Sequence, residues 1–146
     1  MALRRSVLQQ LGPFDEALDA GTRTRSGGDA EMFSRILSAG YRIAYDPQAL
    51  NWHRHRRTWR ELRRMAYGYG VGVYAAWTRS FLVEHETGML QPALSWFARR
   101  QLPTLIRSAL QPCGITFDLI LSELRGCAAG PWAYLASRRA VRKGRR

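Results

Sequence analysis

Residues 29–53 place a helix, an extended segment, a turn and a second extended segment in immediate succession, and this order constrains the fold more than any other feature. Residues 29–39 repeat apolar side chains at the spacing of one helix face, and Gly40 is a natural end for that helix. Residues 41–45 alternate large apolar and other side chains, as a half-buried strand does. Asp46 and Pro47 then turn the chain into a second extended piece at 49–53. The sequence therefore predicts the last part of an α/β domain.

The region from residue 58 onward is predicted to be helical and amphipathic. Thr58 and Glu61 form a capping box that opens a helix with one apolar face through about Arg79. Three glycines fall inside this helix, namely Gly68, Gly70 and Gly72. Each costs up to about 1 kcal/mol relative to alanine, so a close contact with another helix or with a membrane would justify them. Two further apolar faces follow, one broken near Pro103 and one ending before Gly126.

Arginine gives the chain its charge, because Lys143 is the only lysine and the net charge is +12. The arginines concentrate in residues 54–64 and 138–146. Such clusters suit the phosphates of nucleic acid, of anionic lipid or of a charged substrate. A solvated surface explains them equally well, so a phosphate or lipid partner stays open at this point.

The cysteines and the apolar runs indicate a compartment. Cys113 and Cys127 lie in apolar surroundings without a partner at metal-ligand spacing, which favours buried free thiols over a disulfide. The first residues lack the apolar core of a signal peptide, and the longest uncharged run, residues 65–78, is shorter than the ~20 residues that span a bilayer. We expect a cytoplasmic protein, with peripheral attachment to the inner face of the cytoplasmic membrane left open.

Residues 26–55 also contain groups suited to acid/base and metal chemistry. Asp29 stands at a helix start behind two glycines, where it is either an N-cap worth about 1 kcal/mol or a carboxylate open to a substrate. Glu31 lies in the first helical turn, where the helix dipole alone explains a negative charge. His53 and His55 point to opposite faces of an extended segment, so one of them can face a cleft. A solvated cationic surface is the simpler interpretation of the two histidines.

In its order of short motifs, the chain resembles the second half of a family 2 glycosyltransferase domain of the GT-A type. The resemblance covers residues 1 to about 79, a little over half of the chain. Two of the pieces are like the family's Gly-Gly-Phe-Asp-Glu and Gly-Glu-Asp-x-Asp-Leu motifs. The pieces are Met1-Ala2-Leu3-Arg4-Arg5, Leu11-Gly12-Pro13-Phe14-Asp15-Glu16, Gly27-Gly28-Asp29-Ala30-Glu31-Met32-Phe33 with Arg35, Gly40-Tyr41-Arg42-Ile43, and Tyr45-Asp46-Pro47 through His53-Arg54-His55-Arg56.

The resemblance implies an inverting transfer from a nucleotide-sugar donor to a glycan or lipid-linked acceptor of the bacterial cell envelope. It makes Asp29 the general base that takes the proton of the acceptor hydroxyl. It gives His53 a place on a divalent metal, Mg or Mn, which offsets charge on the leaving diphosphate. The residues that would line the acceptor side are Gly27, Gly28 and Glu31. The phosphate or lipid contacts are expected from Arg54, Arg56 and Arg57.

The chain also departs from the family pattern. Gly28 stands where the family commonly has Glu, and no Asp-x-Asp occurs in the sequence. We expect residues 1–57 to form the acceptor-side part of a GT-A catalytic domain and residues 58–146 a helical extension. The donor-binding half would belong to the same or a separate polypeptide. Unpaired strand edges would then leave the chain alone marginally stable and inactive.

Two other classes of protein remain open. A small basic nucleic-acid-binding protein fits the isoelectric point of about 11.1, but no binding motif is present, and the aromatic residues follow apolar helix faces rather than alternating with arginines. Nucleic acid is therefore the less favoured partner. A non-catalytic helical protein on a membrane surface is the other class. The aromatic residues that suit such a surface, or a soluble helical cap, are Trp96, Phe97, Trp132 and Tyr134.

Overall fold

The computed structural model describes residues 1–85, 87–110 and 114–144, and within these ranges the ordered elements are helices. The α-helices are α1 (Arg5–Leu11), α2 (Gly28–Ser38), α3 (Trp59–Arg79), α4 (Leu90–Trp96), α5 (Leu102–Leu110) and α6 (Gly114–Gly144). Short π-helical segments at Ser80–Glu84 and Phe97–Gln101 and a 3-10 turn at Thr87–Met89 connect the later helices.

The α/β prediction is wrong, because the described part of the chain contains no strand. Residues 41–45 and 49–53, predicted as strands, are irregular and open to solvent, with Tyr45 90% and Trp52 95% exposed. A strand is stable only when a neighbour pairs its backbone N–H and C=O groups. The described residues provide no such neighbour, so the alternation of side chains forms no sheet. As far as the structure describes it, the chain is therefore not an α/β domain of the GT-A type.

Helix α3 begins as the sequence predicts. The Thr58 hydroxyl accepts a hydrogen bond from the Glu61 amide at 3.3 Å, and the Glu61 carboxylate accepts one from the Thr58 amide at 3.1 Å. Both partners of the capping box are therefore engaged. The helix then continues for 21 residues to Arg79, so its three internal glycines do not interrupt it.

Helices α3 and α6 pack so closely at Gly70 and Gly126 that these two positions require residues without a side chain. We call this contact the glycine seam. A Cβ on Gly70 would lie 2.8 Å from Cys127 N, and a Cβ on Gly126 would lie 3.0 Å from Val71 N. The helix contact predicted from the glycines of α3 is thus confirmed at Gly70. Helix α6 continues through Gly126, where the predicted apolar face ends, into its second half.

The buried apolar side chains form two clusters. The first, between α1 and α2, contains Val7, Met32 and Ile36. The second joins the loop after α1 to α3 and α6 and contains Ala17, Leu18, Ala75 and Tyr134. Tyr134 is only 1% exposed, which argues against a membrane-facing position for this side chain, whereas Trp132 is 74% exposed. The second cluster thus contains side chains from both parts of the chain that the sequence analysis distinguished, residues 1–57 and residues 58–146.

Two further expectations concern the thiols and the membrane. Cys127 is a buried free thiol, as predicted, and its burial raises its pKa. Cys113 lies outside the described residues. Among the helices that the structure describes, none combines the length and the apolar character needed to cross a bilayer.

Candidate functional site

The candidate site lies at the start of α2, where the preceding loop meets α3. Gly27 is the N-cap residue of α2 and has a φ of +107°, a backbone conformation that favours glycine. A Cβ on Gly27 would also lie 2.9 Å from the carbonyl carbon of Gly72 on α3. Both the backbone conformation and the close approach therefore require glycine, and they fix where α2 begins.

Asp29 is the second residue of α2 rather than its N-cap, so the capping interpretation is wrong. The cap is Gly27, and no side chain makes a capping hydrogen bond there. Asp29 is exposed, and its carboxylate has no hydrogen-bond or ion-pair partner in the part of the chain described. A negative charge in the first turn is stabilised by the helix dipole. The structure thus leaves this carboxylate accessible to a ligand at a fixed helix start.

Glu31, two residues later, is in the opposite situation, because its side chain is completely buried. Its carboxylate oxygen Oε1 lies 2.7 Å from Arg79 Nη1 and 2.6 Å from Arg35 Nε. Burial raises the pKa of the Glu31 carboxyl, while the hydrogen bond from Arg35 and the attraction of Arg79 act against that rise. Glu31 therefore fastens the start of α2 to the end of α3. A direct contact of Glu31 with an acceptor stays a prediction.

Arg79 extends this buried ion-pair network to other parts of the fold. Its Nε lies 3.3 Å from Asp15 Oδ2, and its Nη1 pairs with Glu84. The Tyr134 hydroxyl of α6 donates a hydrogen bond to the same Asp15 oxygen at 3.1 Å. Sequence reasoning missed Arg79. A signal was present, because Arg79 is three residues after Ala76 and so lies on the apolar face of α3. A charged residue on such a face predicts a buried ion pair.

The loop before α2 is held by hydrogen bonds. Thr24 is fully buried, and its hydroxyl accepts a hydrogen bond from the Asp19 amide at 2.9 Å. The Ser26 hydroxyl donates to the carbonyl oxygen of Gly68 on α3 at 2.9 Å. A Cβ on Gly28 would lie 2.8 Å from the Asp19 carboxylate, so glycine fits closely there as well. These contacts attach the loop to α3 immediately before Asp29.

His53 lies in the irregular, exposed segment between α2 and α3. Its ring centroid is 5.7 Å from that of His55. Within the described ranges, no three His, Cys, Asp or Glu side chains come together as a metal site would need. His53 therefore lacks further protein ligands there, and these residues do not by themselves fit a complete metal centre.

The arginines predicted to contact phosphate or lipid differ in their surroundings. Arg54, Arg56 and Arg57 are all exposed. The Arg57 amide donates a hydrogen bond to the Glu61 carboxylate at 3.2 Å. Arg56 lines a cleft against the first turns of α3. Of the three predicted arginines, Arg56 thus lies on a concave surface.

The comparisons with known proteins point to glycosyltransferases. Over 59 residues, which are 40% of this chain and 12% of the relative, the chain is 32% identical to the "Probable glycosyltransferase YdaM" of Bacillus subtilis (strain 168). Over 67 residues, 44% of this chain and 13% of the relative, it is 36% identical to the "Pre-mycofactocin glycosyltransferase" of Mycobacterium tuberculosis (strain ATCC 25618 / H37Rv). The chain thus spans only 12–13% of the length of these curated relatives.

Neither a family model nor a solved structure matches the chain. The relation is therefore a distant similarity to glycosyltransferases over about two fifths of the chain.

Proposed function

We propose that this chain supplies the acceptor-side part of a glycosyltransferase related to family 2, with Asp29 as the general base. The similarity to glycosyltransferases supports the class of enzyme. One observation carries the choice of residue: the Asp29 carboxylate is exposed and unpartnered within the described residues, at a helix start fixed by glycines and buried ion pairs. Gly27, Gly28 and Glu31 support the acceptor side by fixing this start.

In the proposed reaction, the oxygen of an acceptor hydroxyl attacks the anomeric carbon of a nucleotide sugar. The bond to the acceptor oxygen forms on the face opposite the leaving diphosphate, and the bond to the diphosphate oxygen breaks, so the configuration inverts. The hydroxyl proton passes to Asp29. A hydroxyl becomes acidic only as the attack proceeds, and a positioned base then contributes typically about 10²–10⁴-fold to the rate.

Further parts of the proposal concern the partners. The acceptor would be a glycan or lipid-linked sugar of the cell envelope, reached from the cytoplasmic face of the membrane. A divalent metal, Mg or Mn, would find one ligand in His53, but the described residues do not complete a metal centre. The residues that bind the nucleoside of the donor would come from elsewhere on the same or a separate polypeptide, and the chain alone would be inactive.

The test compares Asp29→Asn with a control, Asp118→Asn, each variant replacing the wild-type gene in the cells that naturally carry it. Asp118 is partly exposed and accepts a hydrogen bond from the Trp59 indole at 3.0 Å, which an asparagine oxygen preserves. Extracts containing membranes receive labelled nucleotide sugars, and transfer to lipid and polysaccharide fractions is measured. We expect Asp29→Asn to lower transfer about 10²–10⁴-fold while Asp118→Asn retains it.

Two results would reject the proposal. Transfer retained by Asp29→Asn would show that this carboxylate is not the base. Transfer that is identical in cells with the gene and in cells from which it is deleted, across a full panel of nucleotide sugars, would reject the class of enzyme.

A further inference from the structure

A cleft of about 310 Å³ lies between the loop before α2 and the first turns of α3. Arginine is the most frequent residue in its walls. The charged residues that line it are Arg25, Arg56, Arg64 and Glu61. The cleft also includes Ser26, three residues before Asp29. It therefore adjoins the candidate site along the chain.

Arg25 has a constrained position in this cleft. Its φ is +65°, in the left-handed region that a residue with a side chain rarely adopts. The hydrogen bond from Ser26 to Gly68 holds the adjoining backbone in place. The guanidinium carbon lies 5.0 Å from the centre of the Tyr67 ring, within the range of a cation–π contact. Tyr67 lies in the wall of a neighbouring pocket that Arg25 also lines, so Arg25 stands between that pocket and the cleft.

The positive charges of the cleft are only partly neutralised within the described residues, because Glu61 attracts Arg56 but is the single acidic residue of the wall. Arg25, Arg56 and Arg64 form no ion pair with a carboxylate there. Glu61 is the one acidic residue of the wall, and its Oε2 atom accepts hydrogen bonds from the Arg57 and Thr58 amides at 3.2 and 3.1 Å. The lining thus contains three arginines and one carboxylate that already caps a helix, which gives it a net charge of +2.

We propose that this cleft binds the phosphate or diphosphate group of a substrate, with Arg25, Arg56 and Arg64 donating hydrogen bonds to its oxygens. Guanidinium groups present paired N–H donors that match phosphate geometry, and such charge-assisted bonds are stronger than neutral ones. Binding of phosphate in the cleft stands independently. Its assignment to a substrate of glycosyl transfer rests on the proposed function.

The position of the cleft suggests how one molecule reaches both sites. Asp29 is three positions after Ser26, so their Cα atoms are at most about 11 Å apart. The cleft and Asp29 are therefore close enough for one ligand to place its phosphate in the cleft and its sugar beside Asp29. Two substrates carry such a group: the nucleotide sugar, through its diphosphate, and a lipid-linked acceptor, through its phosphate.

The test measures binding of inorganic pyrophosphate to the full chain by titration calorimetry at fixed pH and low ionic strength. Arg64→Gln removes one guanidinium of the cleft, and Arg25→Asn removes another while keeping a residue that tolerates a left-handed backbone. The matched control is Arg60→Gln. Arg60 is exposed one turn before Arg64 on the same helix, lies outside the cleft lining and carries the same charge.

We expect Arg64→Gln and Arg25→Asn to raise the Kd for pyrophosphate about tenfold or more, and Arg60→Gln to raise it no more than about threefold. Equal weakening by all three variants would overturn the proposal, because it would show attraction to overall charge only. Absence of saturable binding to the wild-type chain would also overturn it. Arg56→Gln changes a residue outside the helices and keeps the test decisive if another variant fails to fold.

Two further probes distinguish the sources of the phosphate. Tighter binding of uridine diphosphate than of pyrophosphate identifies a nucleotide, and tighter binding of farnesyl phosphate below its micellar concentration identifies a lipid phosphate. Either result supports the cleft and names its ligand. Because pyrophosphate binding requires no transfer, failure of this inference is distinguishable from failure of Asp29 as the base.

Discussion

The glycine seam between α3 and α6 makes a quantitative prediction at Gly70. In Gly70→Ala, the new Cβ would overlap the carbonyl oxygen of Glu123 and lie 2.8 Å from Cys127 N. Both are backbone atoms of α6, so neither can rotate away. Cβ atoms essentially never lie under 3.0 Å from such atoms. The two helices must therefore move apart by roughly 0.5–1 Å, which disturbs the dense packing along the seam.

The expected loss of stability follows from two opposing effects. Overpacking of this kind costs about 1–3 kcal/mol, and the backbone partners place Gly70→Ala at the upper end. Alanine offsets up to about 1 kcal/mol of this, because it favours a helix more than glycine does. The net destabilisation is about 2 kcal/mol, which lowers the melting temperature of a chain of this length by roughly 4–8 °C.

The assay is thermal and urea unfolding followed by helical circular dichroism, with Gly68→Ala as the control. Gly68 is in the same helix, but a Cβ there would meet only the side chain of Arg25, at 3.8 Å. Its alanine variant should be unchanged or stabilised by up to about 1 kcal/mol. The reasoning fails if Gly70→Ala melts at or above the wild-type temperature, or if the two variants shift it alike.

Two further predictions concern the buried ion-pair network. Arg79→Met leaves three carboxylates without their shared cation and should cost about 3–5 kcal/mol near neutral pH in urea unfolding. The loss should shrink in acid as the carboxylates take up protons. Arg63→Met breaks an exposed pair with Asp118 and should cost under about 1 kcal/mol, so equal losses would contradict the prediction. Burial, with help from Asp15, raises the pKa of Tyr134, so the folded state binds the phenol proton more tightly and stability should fall above about pH 10. In an absorbance titration, Tyr134→Phe should remove the most resistant ionisation, and its persistence would refute the assignment.

The helices were predictable where the signals lie within the segment itself. The side chains of Thr58 and Glu61 start α3, and the one-face spacing of apolar residues identifies both α2 and α3. The strands were not predictable in the same way, because a strand depends on a partner elsewhere. Residues 41–45 have the alternation of a strand, but no paired strand accompanies them in the described chain.

The residues of the candidate site also differ in whether a local sequence pattern identifies them. Asp29 was identifiable because glycines and a helix start surround it in the sequence. The contact between Asp15 and Arg79 joins residues 64 positions apart and leaves no local pattern. Glu31 was therefore interpreted as an acceptor contact, although the fold buries its side chain between two guanidinium groups.

Helix α3 contacts both features that we propose to be functional. Its Gly72 approaches Gly27 at the start of α2, and its Gly68 accepts the hydrogen bond of Ser26 at the edge of the cleft. A shift of α3 therefore moves the surroundings of the proposed base and of the cleft together. His53 has no comparable support, since its segment is exposed and makes no part of the two buried clusters. Fixing His53 for metal binding would require a surface to pack against that segment, so the proposed metal contact depends on additional structure while the position of Asp29 does not.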